Sequence, residues 1–409
     1  MGATAGLDPE WARRVRQYPP FFMGAVAVAF AFVILAGNGS STASGRVGGD
    51  FPAFYGAGSI VANGEIDDLY DPSTQAAAQD HLLGQEDGFI MYPYAPYVAA
   101  AYSPLSRVPY RVAYVIHTLI MGAALIGALW LLRPQIGVLE RWFGAAAAIA
   151  LTSYPIFVGI GGGQNAALSL LLIAAVWRLL ADDRQLGAGI VIALLMYRPQ
   201  YALPLLGLLI LGRYWRAAAG AIGGATLVWL ANAWLFGTNW LTLWLQQVQP
   251  LLEADAEINA ANEIAPIGFL HAIFGTGSSL ALVAGGAVSA AIACYLSWQW
   301  WNNIGDLSGR MVTTTSGLML LGPHAIFYDF GLTIFATALL LDRRLVGPTL
   351  VVTIWAIGLA QLANPVLDAS PLAPVALFVF VATSVLVRNE VQSPTDSARV
   401  LPIQDSYSV

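Results

Sequence analysis

Apolar runs long enough to cross a bilayer recur from Phe21 to Val387, and no other feature limits the fold of this chain as much. An α-helix rises about 1.5 Å per residue, so roughly 20 apolar residues span the hydrocarbon core. Only 10% of the 409 residues are charged and 57% are hydrophobic, whereas a water-soluble domain carries about 25% charged residues. A chain so poor in polar surface cannot cover itself in water. In lipid each backbone N–H and C=O must find its partner inside the structure, and uninterrupted apolar runs of this length do so as helices. The expectation is an all-α, polytopic membrane helical bundle with no soluble domain. The single cysteine, Cys294, lies inside an apolar run, which excludes an intrachain disulfide and a cysteine-based metal site.

All 18 basic residues are Arg, and their positions orient the spans by the excess of positive charge on cytoplasmic flanks. Residues 1–19 form a cytoplasmic N-terminus carrying Arg13, Arg14 and Arg16. This flank also resembles a cleavable signal peptide, but the many spans that follow favour an uncleaved first span over about 20–36. A long polar segment, 37–109, then lies outside. Spans over about 110–132, 142–160 and 166–181 follow. Residues 186–212 are apolar but broken at Arg198-Pro199-Gln200, with Arg184 and Arg213 at the flanks. A span over 217–236 leads to a second external loop, 237–265, and 278–297 returns. Residues 311–341 repeat the broken design at Gly322-Pro323-His324. Spans over 347–363 and 371–387 complete a single membrane domain, 20–387, and a polar tail, 388–409, reads as a disordered cytoplasmic end. The total is about 10–12 passes with two broken or re-entrant segments. Irregular backbone at membrane depth is tolerated only where it faces protein or a watery cavity.

Several polar residues sit where they need a reason. In the first external loop Asp50 follows two glycines and precedes Phe51, Phe54 and Tyr55, and residues 52–63 and 73–83 read as short amphipathic helices. Asp50 suits a general base acting on a sugar hydroxyl, and equally an N-cap for the helix that follows. The strip Met91–Tyr97 packs aromatics and prolines, including Tyr92 and Tyr94, into a rigid wall. Gly161–Asn165 offers the amides of Gln164 and Asn165 either to a sugar or to the cap of the next span. Arg198, at a break, suits a phosphate through its planar fork or a structural pairing with a carboxylate such as Asp329. At the other break His324 and Tyr328, four residues apart, would share a helical face. His324 there would either hold a phosphate at a half-helix N-terminus or satisfy backbone groups freed by Pro323. Ionisable groups at this depth are functional until shown otherwise. The acidic stretch Glu253–Glu263 reads as a solvated face. The acids of 65–71 lack the spacing of a calcium loop, so no dedicated metal site is expected. His81 and His117 carry no functional expectation.

The run Asp50-Phe51, Phe54-Tyr55, Ala57-Gly58, Gly64 and Leu69-Tyr70-Asp71-Pro72, followed by Tyr92–Pro96, Ser103-Pro104-Leu105, Gly163-Gln164-Asn165, Arg198-Pro199-Gln200 and Pro323-His324 with Tyr328-Asp329, resembles glycosyltransferase family 87. These are membrane enzymes of the GT-C fold that include polyprenyl-phosphate-mannose-dependent α-1,2-mannosyltransferases. The resemblance covers about 45–345. It implies an inverting transfer of mannose from a polyprenyl-phosphate donor to a glycolipid or cell-envelope glycan. The reaction would occur on the extracytoplasmic side of the plasma membrane, with Asp50 as base. It places His324, Arg198, Tyr328 and Asp329 near the donor phosphate and sugar, and Tyr55, Tyr92, Tyr94, Gln164 and Asn165 near substrate. No metal or other cofactor is called for. The family often has Lys at the position of Arg198, and Tyr92-Pro93-Tyr94-Ala95-Pro96 departs from the more usual Tyr-Pro-Pro. Arabinofuranose is the alternative donor sugar. A secondary transporter, which also uses broken helices, and a non-catalytic assembly subunit are the readings from other classes.

Overall fold

The structure is a computed structural model that describes residues 48–80, 82, 89–246, 250, 258–322 and 324–392, with Arg13, Tyr18, Phe21, Gly24, Ala25 and Val28. Most of the expected first span, most of the N-terminal segment, the tail beyond Gln392, His81, Glu253, Asp255, Glu257 and Pro323 lie outside the described residues.

Among the described residues, regular structure is helical apart from one isolated bridge between Glu263 and Ile326. The external loop folds into α1 (Phe51–Asn63), α2 (Pro72–Asp80) and α3 (Pro96–Tyr102). The membrane helices are α4 (Tyr110–Leu131), α5 (Phe143–Thr152), α6 (Tyr154–Gly161), α7 (Ala166–Ala181), α8 (Gln185–Leu195), α9 (Pro199–Leu211) and α10 (Trp215–Phe236). After the second loop come α11 (Pro266–Phe274), α12 (Ser279–Trp301), α13 (Leu307–Leu321), α14 (Thr333–Asp342), α15 (Pro348–Gly358) and α16 (Leu372–Gln392). Large side chains such as Leu119, Trp130, Leu203, Ile222, Leu227 and Trp234 lie exposed on the outside of the bundle, a surface that suits lipid and not water.

The all-α membrane architecture is the one expected. Among the described residues, five helical segments are long and apolar enough to cross a membrane: α4, α10, α12, Pro348–Leu367 and Leu372–Glu390. The pair α5 and α6 makes a sixth if taken as one span, although it bends by 69°. This is fewer than the 10–12 passes expected, because α7, α8 and α9 have only 10–17 residues each and the first span is outside the described residues. The straight span expected over 142–160 is corrected to a broken one. Ser153 leaves the helical region (φ −61°, ψ 123°) and Pro155 sits in the first turn of α6, where its ring and missing N–H end the preceding helix. The break at Arg198-Pro199 is as expected: Arg198 is non-helical (φ −121°, ψ 77°) and Pro199 opens α9. The last helix continues past Arg388 to Gln392.

Small residues set the closest helix pair. Gly189 on α8 meets the backbone at Ala217 and Ala221 of α10, and Gly220 of α10 meets the backbone of Leu186. Small surfaces of this kind are how membrane helices gain packing without a hydrophobic driving force. One end of the bundle is tied by charge: Arg141 Nη2 lies 2.8 Å from Asp342 Oδ1, and Arg343 reaches Asp306 and Glu390, each at 2.6 Å. The external-loop helices gather at the opposite end, where α4 begins.

Candidate active site

The site starts from a backbone joint. Gly48 and Gly49 take positive φ (93° and 49°), and the chain then turns so that the Asp50 N–H donates to Gly162 O at 3.0 Å. The Asp50 turn therefore docks onto the Gly161–Asn165 loop between α6 and α7. Tyr114 of α4 pins the same loop from behind by donating to Gly161 O at 2.7 Å. Asp50 occupies the N-cap position of α1, yet its side chain makes no capping bond. It accepts a hydrogen bond from the Gln164 side-chain amide instead. The carboxylate is engaged across the joint and does not cap the first turn of α1.

Asn165 likewise stands at the N-cap of α7 without a side-chain cap bond. Its Oδ1 accepts from Arg198 Nε at 3.1 Å and, at a long 3.4 Å, from the Tyr94 hydroxyl. Its backbone carbonyl accepts from the Tyr197 hydroxyl at 3.1 Å, and Tyr197 also shares a 2.6 Å hydrogen bond with Ser169. The capping alternative for Gln164 and Asn165 is thereby set aside. The alternative raised for Arg198 is realised: its Nη1 lies 2.5 Å from Asp329 Oδ1, with both side chains buried. Tyr328 packs on Gly159 of α6 and interacts electrostatically with Asp329, Asp50 and Arg198, as does Tyr94. Asp50, Tyr94, Gln164, Asn165, Arg198, Tyr328 and Asp329 thus form one cluster, drawn from five separate stretches of sequence.

The aromatic strip is held from the side by α2. Gln75 donates to Leu69 O and accepts from Tyr92 N–H, each at 2.9 Å. Gln79 makes a paired contact with the backbone of Ile90, at 2.9 and 3.0 Å. The Tyr70 hydroxyl donates to Tyr94 O at 2.9 Å, and Trp244 donates to Pro93 O at 2.9 Å. These contacts present Tyr94 to the cluster. Burial raises the Tyr94 phenol above its ordinary value of 10.0 while Arg198 works against the shift, so Tyr94 is a neutral hydroxyl there. Tyr92 is fully buried and donates to Ala95 O at 3.1 Å. Tyr55 donates to Val108 O at 2.8 Å. The hydroxyls of both tyrosines are engaged with backbone outside the cluster.

His324 differs from expectation. Gly322 (φ −76°, ψ 160°) and Ile326 (φ −92°, ψ 158°) are extended, and the following turn, Phe327–Leu332, is a 3-10 helix. His324 and Tyr328 therefore do not share a helical face, and no half-helix N-terminus lies at His324. The ring is anchored by Glu263, which bonds Nδ1. Glu263 itself is 2% exposed, so the reading of Glu253–Glu263 as a solvated face is corrected at its last residue. Glu263, Tyr197, Gln75 and Gln79 are the residues that sequence reasoning missed. The adjacency Tyr197-Arg198 is the only signal that could have flagged one of them.

A family model described as glycosyltransferase family 87 matches residues 92–323, more than half of the chain. Asp50, Tyr55, His324, Tyr328 and Asp329 lie outside the matched span. No curated protein and no solved structure matches the chain.

Proposed function

The chain belongs to glycosyltransferase family 87, and from that premise we propose that it moves mannose from a polyprenyl-phosphate carrier to a hydroxyl of a glycolipid or envelope glycan at the extracytoplasmic face of the plasma membrane. Asp50 takes the proton of the acceptor hydroxyl. The acceptor oxygen bonds to the anomeric carbon from the face opposite the phosphate. The carbon–oxygen bond to phosphate breaks, and its electron pair leaves on the polyprenyl phosphate, so the configuration inverts. Phosphate is a fair leaving group without a general acid, so the demand on the protein is a base and donors that meet the developing charge.

One observation carries this reading: Asp50 stands at a helix N-cap but spends its side chain on Gln164, within a cluster that also holds Arg198 and Tyr94. A cap would satisfy the helix; a carboxylate withheld from it and oriented by an amide is arranged for chemistry. The guanidinium carries five N–H donors, and its bonds to Asn165 and Asp329 use Nε and Nη1. Because Asp329 balances its charge, Arg198 contributes directed hydrogen bonding to the donor, and His324 supplies the second basic contact. A lipid-linked donor must reach the cluster sideways between helices, and irregular backbone at membrane depth is compatible with a polar cavity for it.

The test is transfer by purified protein in liposomes supplied with polyprenyl-phosphate-mannose and a lipid extract as acceptor. Asp50→Asn is expected to lower turnover by about 100-fold or more, the scale of a general base, with donor affinity retained. Wild-type turnover from polyprenyl-phosphate-arabinose alone would move the donor assignment. Full turnover in Asp50→Asn would remove the base.

A further inference from the structure

A carboxylate that is 2% exposed in a membrane bundle needs partners on both oxygens, since an uncompensated buried charge is expensive. Glu263 has them. Oε2 accepts from Ala325 N–H at 3.0 Å, and Oε1 bonds His324 Nδ1. The two strands of chain are also joined through backbone. Ile264 N–H donates to Ala325 O at 2.8 Å, and Glu263 bridges Ile326 in antiparallel fashion. Room for the side chain comes from Gly268 in the first turn of α11, where an added Cβ would lie 2.7 Å from both Cγ and Cδ of Glu263. The second external loop and the late helix break, some 60 residues apart in sequence, are thus clamped together at the only histidine of that break.

The clamp is more than a way of joining two loops. The backbone ladder already does that with neutral groups, and apolar packing would do it without burying a charge. What the carboxylate adds is control of the ring. An ionised carboxylate only accepts, so the nitrogen facing it must carry a proton. A partner on one imidazole nitrogen decides which nitrogen does the chemistry. The ring, 30% exposed at its side chain, is thus held by one of its two nitrogens.

We propose that Glu263 is a positioning residue for His324: its carboxylate holds a proton on Nδ1 and sets the ring plane, directing the chemistry of the ring with the sugar-phosphate donor to Nε2. The donor contact rests on the function proposed above; the dyad itself does not.

The experiment uses the full chain with 15N-labelled histidine in lipid nanodiscs. With four histidines in the sequence, the His324 ring signals are identified by their loss in His324→Gln. In the wild type without substrate, Nδ1 is expected to read as protonated, and in Glu263→Gln that preference is expected to disappear. Turnover in Glu263→Gln is expected to fall at least about tenfold with an unchanged melting temperature. In the His324→Gln background the same change is expected to have no further effect on donor affinity, because a residue acting through another loses its influence when that other is gone. A wild-type ring protonated only on Nε2 overturns the proposal whether or not any variant folds, and so does an equal effect of Glu263→Gln in both backgrounds. If the dyad reads as expected and the wild type transfers nothing from polyprenyl-phosphate-mannose, the donor assignment fails and the positioning role stands.

Discussion

Arg198 Nη1 and Asp329 Oδ1 meet at 2.5 Å across 131 residues of sequence, with the two side chains 4% and 7% exposed. The pair joins the helix break at Arg198 to the 3-10 turn that follows the break at Gly322. Removing one partner of a buried ion pair leaves an uncompensated charge and costs about 3–5 kcal/mol, whereas replacing both with apolar groups is often neutral. Asp329→Leu and Arg198→Met are therefore each expected to lower the melting temperature markedly, and the double variant to recover most of it. A double variant no more stable than its worse parent would show that the pair does not act as a unit. Because Arg198 also bonds Asn165, the stable double variant is expected to stay poorly active.

Gln164 is expected to matter for rate and not for folding. Its amide holds the Asp50 carboxylate, while the backbone bonds of the same loop, Asp50 N–H to Gly162 O and Gln164 N–H to Gly159 O, do not depend on the side chain. Gln164→Leu is expected to reduce transfer by about tenfold, equivalent to roughly 1.4 kcal/mol of transition-state stabilisation, with melting little changed. Unaltered turnover in this variant would detach the amide from the chemistry.

How much of this was legible depended on whether the signal was local. The α7 boundaries, 166–181, were readable because an Asn at one end and an Asp-Asp-Arg run at the other bracket a uniform apolar stretch. The helix break at Arg198 was readable because Pro199 and a charge interrupt an apolar run. Pro155 gave the same kind of signal inside 142–160, but without a charge beside it the run looked continuous. In the site, Asp50, Gln164, Asn165, Arg198 and Asp329 stood out as polar groups in apolar or glycine-rich surroundings, and the structure gathers them. Glu263 did not stand out, because it closes an acidic stretch that looks solvated; its partners Ala325 and His324 lie some 60 residues away. Tyr55 and Tyr92 could not be sorted from Tyr94, since the hydroxyls of Tyr55 and Tyr94 are placed by Val108 and Asn165, 53 and 71 residues away, while that of Tyr92 turns back on Ala95.

Asp71 offers a pH-dependent check on the external loop. The Ser73 hydroxyl at 2.5 Å, with the Thr74 backbone N–H at 2.8 Å and its hydroxyl at 2.9 Å, holds this carboxyl below its ordinary value of 3.8. A depressed folded value means that the ionised group supports the first turn of α2 at any pH above 3.8, and that the support is lost as pH falls through the lower folded value. Amide exchange in α2, corrected for its intrinsic pH dependence, is expected to be faster by a factor of a few in Asp71→Asn than in wild type at pH 7. The two are expected to converge in strong acid. A difference that persists unchanged into strong acid would mean that the carboxylate plays no part.

Gly163 should be the least replaceable glycine of the site, for two separable reasons. Its φ is +71°, a conformation that costs an L-residue about 1–2 kcal/mol. In addition, a Cβ there would lie 2.6 Å from Phe51 Cβ and 2.7 Å from Phe51 N, against the first residue of α1 and next to Asp50. Gly64, at the other end of α1, isolates the first reason: its φ is +81°, but nothing lies within 4 Å of an added Cβ. Gly64→Ala is expected to lose about 1–2 kcal/mol of stability and keep its turnover. Gly163→Ala carries the same backbone penalty and must also push the Asp50 turn off the Gly161–Asn165 loop. Its transfer activity is expected to fall by about tenfold more than its loss of stability alone would predict. If the two alanine variants retain equal activity at equal folded fraction, the close docking of that turn is not what sets the base in place.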